Sequence, residues 1–134
     1  MLILVENASA IHEYVDSVPD LAFTFIKSAK KPLSIIFQNA KNLAPALIGD
    51  DRTIGIRVAR DDFCRELISM LGKPVVSTSA NISGDPPPHN FSNVKQNIKD
   101  EVDYIVKWRQ DDTSQSLPSD IIKFGEEGEV IKIR

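Results

Sequence analysis

Six residues, Thr53-Ile-Gly-Ile-Arg-Val58, constrain the fold most, because apolar and other side chains alternate along them without a break. Alternation at period two marks a strand with one buried face, so Ile54, Ile56 and Val58 share one side while Thr53, Gly55 and Arg57 share the other. Such a strand needs neighbours. Apolar, β-prone runs at Leu2–Val5 and Leu33–Phe37 predict two of them. Helical spacing of Ile11, Tyr14, Val15 and Val18 predicts a helix over 8–18, and Leu21, Phe23, Phe25 and Ile26 predict a second over 19–29, stopped by Lys30-Lys31-Pro32.

The next helix carries both of its boundary signals. Asp61-Asp62 precede Phe63, Leu67, Ile68 and Leu71, and Gly72 then Pro74 follow, an acidic start and a glycine stop. Pro74-Val75-Val76 predicts another buried strand, opening into the polar run Ser77-Thr-Ser-Ala-Asn-Ile-Ser-Gly84 and a proline loop over 85–89. Ser92 is placed to cap a helix reaching about Asp100. A strand over 104–108 and a polar loop over 109–118 follow. Asp120–Phe124 and 129–133 then flank Gly125-Glu126-Glu127-Gly128 as a hairpin. No internal repeat is present.

At 134 residues the chain predicts a single domain, since a second core would leave each half too small. Sixteen Lys and Arg against 19 Asp and Glu leave a net charge of −3, which excludes a global positive field for polyanions. The lone Cys64 excludes an intramolecular disulfide and points to a reducing interior. The apolar opening 1–5 meets Glu6 at once and lacks a basic leader, so it reads as a strand and not a signal segment. No run approaches the roughly 20 apolar residues of a membrane span. The expected location is the cytoplasm.

Among the polar positions, Thr53 and Arg57 stand roughly 13 Å apart on one strand face at about 3.3 Å per residue, with Gly55 leaving bare backbone on which a ligand can lie. Arg57 supplies a fork of donors suited to a carboxylate or phosphate. From this strand alone a solvated arginine is an equal reading. The 77–84 run gathers hydroxyls and the Asn81 amide where a strand ends, a place where open α/β sheets bind ligands; it also reads as a turn capping itself. His12 and His89 have no partner at metal or triad spacing and read as surface residues. Asp50-Asp51, Asp61-Asp62 and Asp111-Asp112 fall in loops and at a helix start, where carboxylates are expected, so no protein-held metal is predicted. Cys64 reads as a small buried hydrophobe, and Tyr104 and Trp108 as packing residues. Neither a Walker loop nor a dinucleotide fingerprint occurs.

Three segments in order, 53–58, then Lys73-Pro-Val-Val-Ser-Thr-Ser-Ala-Asn-Ile-Ser-Gly-Asp-Pro86, then Pro118-Ser-Asp-Ile-Ile122, resemble the YrdC-like family, which includes L-threonylcarbamoyladenylate synthases. The resemblance runs from Leu2 to Arg134. It implies an α/β (α+β) fold, a twisted mixed open sheet flanked by helices. It also implies an activity: threonine, bicarbonate and ATP with Mg²⁺ give threonylcarbamoyl-AMP for modifying an adenosine of tRNA. By matched position, Thr53, Ser79, Asn81 and Arg134 would contact the nucleotide, and Arg57, Ser77 and Ser119 the threonine. No residue is assigned the catalytic step.

The same comparison marks departures. Family members carry a lysine-x-arginine motif ahead of the strand matching Leu2–Val5, so the chain is expected to be N-terminally truncated and impaired. Ala29-Lys30-Lys31-Pro32 replaces a tryptophan-proline-glycine-proline segment, Pro87 a small hydroxyl residue, and Asp120 a threonine. Two other readings stand beside the enzyme. One is a non-catalytic nucleotide or double-stranded RNA module using Arg57, Lys73, Lys95 and Arg109. The other is a remnant whose open sheet edge pairs with a second copy or a partner chain.

Overall fold

Alternation in the apolar runs becomes a six-stranded mixed sheet in the computed structural model, which describes residues 1–134. The strands are β1 (Leu2–Val5), β2 (Leu33–Phe37), β3 (Ile54–Val58), β4 (Val75–Ser77), β5 (Asp120–Phe124) and β6 (Val130–Lys132), in the order β4-β1-β3-β2-β5-β6. β1 runs parallel to β3, and β2 parallel to β5; the remaining neighbours are antiparallel. The chain divides into two compact units, the sheet unit of 1–77 with 119–134, and a second unit of 78–118.

Register explains which residues form the core. Ile3 stands opposite Ile56, Ile56 opposite Ile35, and Ile35 opposite Ile122, so one row of side chains crosses the sheet on a single face. All four are buried, with Val5, Ile54, Phe37 and Phe124 beside them. Helices α1 (Ile11–Tyr14) and α2 (Asp20–Ser28) supply Ile11 and Ala22 to the same cluster. Burying each large side chain of this row contributes about 1.5–3 kcal/mol. The next row, Leu4, Arg57, Ser34 and Ile121, falls on the opposite face by the same register.

The helix expected over 8–18 is shorter. A 3₁₀ turn at Ala8–Ala10 leads into α1, which ends at Tyr14 because the following backbone pairs elsewhere. Val15 bridges Ala40, Lys41 N–H donates to Tyr14 O at 2.9 Å, and Asn42 Nδ2 donates to Glu13 O at 2.7 Å. Tertiary pairing therefore overrides a continuous helical pattern. α2 and α3 (Asp62–Leu71) agree with the sequence signals. Asp61 Oδ2 accepts from Cys64 N–H at 2.8 Å, and Gly72 closes α3 at φ +68°, donating to Ile68 O.

β4 forms where expected but is not buried; it lies at the sheet edge and Val76 is 49% exposed. The hairpin between β5 and β6 turns through Gly128 at φ +81°, with Gly125 N–H donating to Glu129 O. In the second unit, Ser92 does not cap the helix. It sits inside a 3₁₀ turn, Phe91–Asn93, capped by the Asn90 side chain, and α4 is confined to Gln96–Glu101. The strand expected over 104–108 does not form. Tyr104 is 73% exposed and Trp108 lies under the Arg109 guanidinium, so neither enters a core. No helix is long and apolar enough to cross a membrane.

Candidate anion site on the open sheet face

Arg57 leaves the middle of the sheet on the face opposite the core, and its guanidinium is fixed by two hydroxyls. Nε donates to Ser34 Oγ at 3.0 Å and Nη2 to Ser119 Oγ at 2.9 Å. Ser34 comes from β2, directly opposite Arg57 in the ladder, and Ser119 from the residue before β5. Both serines are nearly inaccessible, at 3% and 6%. Arg134 closes the group: its Nε donates to Ser119 O at 3.1 Å and its Nη2 to Ser119 Oγ at 3.5 Å. The backbone holds it there, because Ile121 N–H donates to Arg134 O while Arg134 N–H donates to Ile121 O.

Counting protons shows what this cluster wants. The two hydroxyl oxygens lie 3.2 Å apart, so one hydroxyl proton lies between them. Their remaining contacts all come from guanidinium donors, so the second hydroxyl proton has no acceptor within the cluster. Neither arginine forms an ion pair with a carboxylate. Burial, and next the nearby Arg134 charge, lowers the Arg57 pKa from its ordinary value. Two like charges converge on the Ser119 hydroxyl, which accepts from both, and neither is ion-paired. A bound carboxylate or phosphate oxygen supplies the missing acceptor and relieves the repulsion.

The other sequence-derived residues lie apart from this cluster or in the second unit. Thr53 precedes β3 at its opposite end, and its hydroxyl donates to Asp51 Oδ1 at 2.6 Å. That bond, followed by Lys123, lowers the Asp51 pKa. Ser77 ends β4 opposite Leu2. Gly55 is not open to a ligand as expected: a Cβ there would meet Met1 O at 3.1 Å and Leu2 Cδ1 at 3.3 Å, because the parallel β1 covers it. Ser79 is exposed in the second unit. Asn81 is tied into its own loop, Nδ2 donating to Ile82 O and Asp85 O, while its buried Oδ1 has no partner.

Ser34 escaped the sequence reading. Its signal was present as the one polar residue inside the apolar run of β2, at the parity opposite Ile35 and Phe37. Elsewhere, His12 packs against Phe23, and His89 Nδ1 lies 3.1 Å from Ser116 O. Cys64 is half-buried, and burial with the Asp61 carboxylate pushes its thiol up to about 11. No group of three or more His, Cys, Asp or Glu side chains suited to a metal ion is assembled.

A mixed sheet bearing a buried hydroxyl and guanidinium cluster on its open face defines an α/β fold with a cationic patch opposite its core. The family model for Sua5, YciO and YrdC, described as "Telomere recombination", matches residues 1–134, and the chain belongs to that family. Among its relatives, the threonylcarbamoyl-AMP synthase of Idiomarina loihiensis is 29% identical over 109 residues, covering 79% of this chain and 59% of that protein. A putative threonylcarbamoyl-AMP synthase of Methanocaldococcus jannaschii is 34% identical over 133 residues, covering 98% of this chain and 60% of that protein. The chain thus spans about 60% of the length of these relatives. In fold it matches E. coli YciO with a TM-score of 0.81 at 21% identity, covering 99% of this chain and 64% of that one. It also matches P. abyssi Sua5 complexed with L-threonine, with a TM-score of 0.79 at 20% identity, covering 99% and 38%.

Proposed function

We propose that this chain carries part of a threonylcarbamoyl-AMP-forming site, and that Arg57 with Ser119 holds the threonine carboxylate. The observation that carries the reading is the cluster of Arg57, Ser34, Ser119 and Arg134, whose two guanidiniums meet no acidic side chain. The kinship with threonylcarbamoyl-AMP synthases supports threonine, bicarbonate and the ATP–Mg²⁺ complex as substrates, and tRNA as the destination of the product. Ser77 joins the threonine contacts. Of the nucleotide contacts that the resemblance implies, Thr53 and Arg134 belong to the sheet unit.

In the reaction a threonine carbamate oxygen bonds to the α-phosphorus of ATP, and the α–β bridging bond breaks as pyrophosphate leaves with the electron pair. The fixed Arg57 fork orients the amino acid, and Arg134 neutralises charge beside it. Phosphoryl chemistry of this kind rests on positioning and charge neutralisation, and one preorganised donor is worth roughly 10²–10³ in rate. Two guanidiniums are few against a triphosphate and a carbamate, so these 134 residues turn over poorly. Calorimetric titration with threonine and ATP–Mg²⁺, alongside pyrophosphate release, tests this. Weak binding of both with little turnover is expected. Turnover matching a full-length relative overturns the impaired reading, and no threonine binding overturns the site.

The RNA reading draws less support. Lys95 is paired with Asp85, and Arg109 with Asp112, so two of the four cations named for it are already neutralised.

A further inference from the structure

Two cavities open on the sheet unit, and neither is lined by the Arg57 cluster. The larger, about 510 Å³, has both Asp51 and Arg52 on its wall, and Asp51 is already engaged by Thr53 and Lys123. The smaller, about 230 Å³, has charges of one sign only. Its floor is apolar, formed by Ile26, Leu33, Ile56 and Val58. Lys31, Arg60 and Arg65 stand around it, and none of the three is ion-paired.

Both guanidiniums here are held in place by backbone carbonyls. Arg60 Nη1 donates to Lys31 O at 2.9 Å, and Arg65 Nε to Ala59 O at 3.0 Å. Each anchor uses a single N–H, leaving Arg65 both of its Nη groups and Arg60 its Nε and Nη2. The neighbouring Asp61 is turned to cap α3 through Cys64 N–H and makes no ion pair with either arginine. Three cations around one cavity repel one another, and anchoring the two guanidiniums removes their freedom to spread apart. An anion seated among them reverses that cost, and the anchored forks lose little entropy in binding it.

We propose that this cavity binds a small organic anion, a carboxylate or phosphate monoester head on a short apolar stem. The head meets Lys31, Arg60 and Arg65, and the stem covers Ile56 and Val58. The volume is below the roughly 300–1,000 Å³ of sites for drug-sized ligands, which suits a small anion better than a nucleotide. Alternation along β3 turns Ile56 and Val58 to the face opposite Arg57, so the site is independent of the one proposed for threonine.

The test is a titration of the ¹⁵N-labelled full chain with butyrate, butyl phosphate, inorganic phosphate and butanol, read by amide chemical shifts. Saturable shifts at Ala59, Arg60 and Arg65 are expected for butyrate or butyl phosphate, and the stronger of the two identifies the head group. Inorganic phosphate and butanol should bind at least about tenfold more weakly. An Arg60→Gln/Arg65→Gln variant should lose the shifts. Lys31→Gln, which alters an exposed side chain, should weaken binding about tenfold and serves if the double variant fails to fold. Arg57→Met should leave this titration unchanged, whatever it does to threonine binding. Absence of saturable shifts, equal binding of inorganic phosphate, shifts that survive the double variant, or shifts centred on Ser119 and Arg134 overturn the proposal.

Discussion

Arg57 Nη2 reaches Ser119 Oγ over 2.9 Å, joining two residues 62 positions apart and tying β3 to the start of β5 across the intervening β2. Ser34 lies between them, so three strands share one guanidinium. Because the hydroxyls act through a common partner, their effects on stability should not add. Ser119→Ala and Ser34→Ala should each cost about 1–3 kcal/mol in urea unfolding, since each leaves a half-buried guanidinium donor unmatched. The double variant should cost clearly less than their sum. Strict additivity would show that the serines do not share Arg57.

Geometry, more than charge, governs the proposed carboxylate contact. Arg57→Lys keeps the charge but loses the fork that meets two serines at once. Threonine affinity should fall at least about tenfold, one charge-assisted hydrogen bond being worth about 1.5–3 kcal/mol. Calorimetry on the two proteins checks this. Equal affinities would reduce Arg57 to a source of positive potential.

α3 depends on its two ends, because Ile68 is its one buried residue while Leu67, Met70 and Leu71 are exposed. Asp61→Ala removes the acceptor for Cys64 N–H and should lower stability by about 0.5–2 kcal/mol. Gly72→Ala forces a Cβ into φ +68° and should cost about 1–2 kcal/mol. Asp61→Asn keeps the acceptor and should cost less than Asp61→Ala. Thermal melts of the three variants should rank accordingly.

Cys64 should make stability fall at alkaline pH. Its thiol is raised from 9.0 to about 11 by burial and by Asp61, so between these values the folded state retains a proton that the unfolded state has lost. Its contribution is complete below pH 9 and declines as pH rises towards 11. Cys64→Ala should flatten this part of the curve. For the same reason iodoacetamide should label the native thiol at pH 8 more slowly than the unfolded one. Equal labelling rates would contradict a protected thiol.

Much of this architecture was written locally. The runs at Leu2–Val5 and Leu33–Phe37, the Asp61 start and Gly72 stop of α3, and the glycine turn after Phe124 each carry their signal within a few residues. Backbone preference and side-chain period act at that range. The same alternation put Arg57 on the face away from Ile56 before any neighbour was known. Where local pattern failed, a distant partner intervened or was missing. Tyr14 ends α1 because 14–16 pair with 39–41. The β-prone residues 104–108 form no strand, because no strand pairs with them.

What only the tertiary structure decided is the company Arg57 keeps. Ser34, Ser119 and Arg134 lie far from it along the chain, and no periodicity relates them. Strand order and register bring them together, because crossovers placed β2 between β3 and β5. Sequence patterns report the face on which a side chain lies, since that depends on its immediate neighbours; which charges and hydroxyls share that face depends on pairing between strands, a property of the whole sheet.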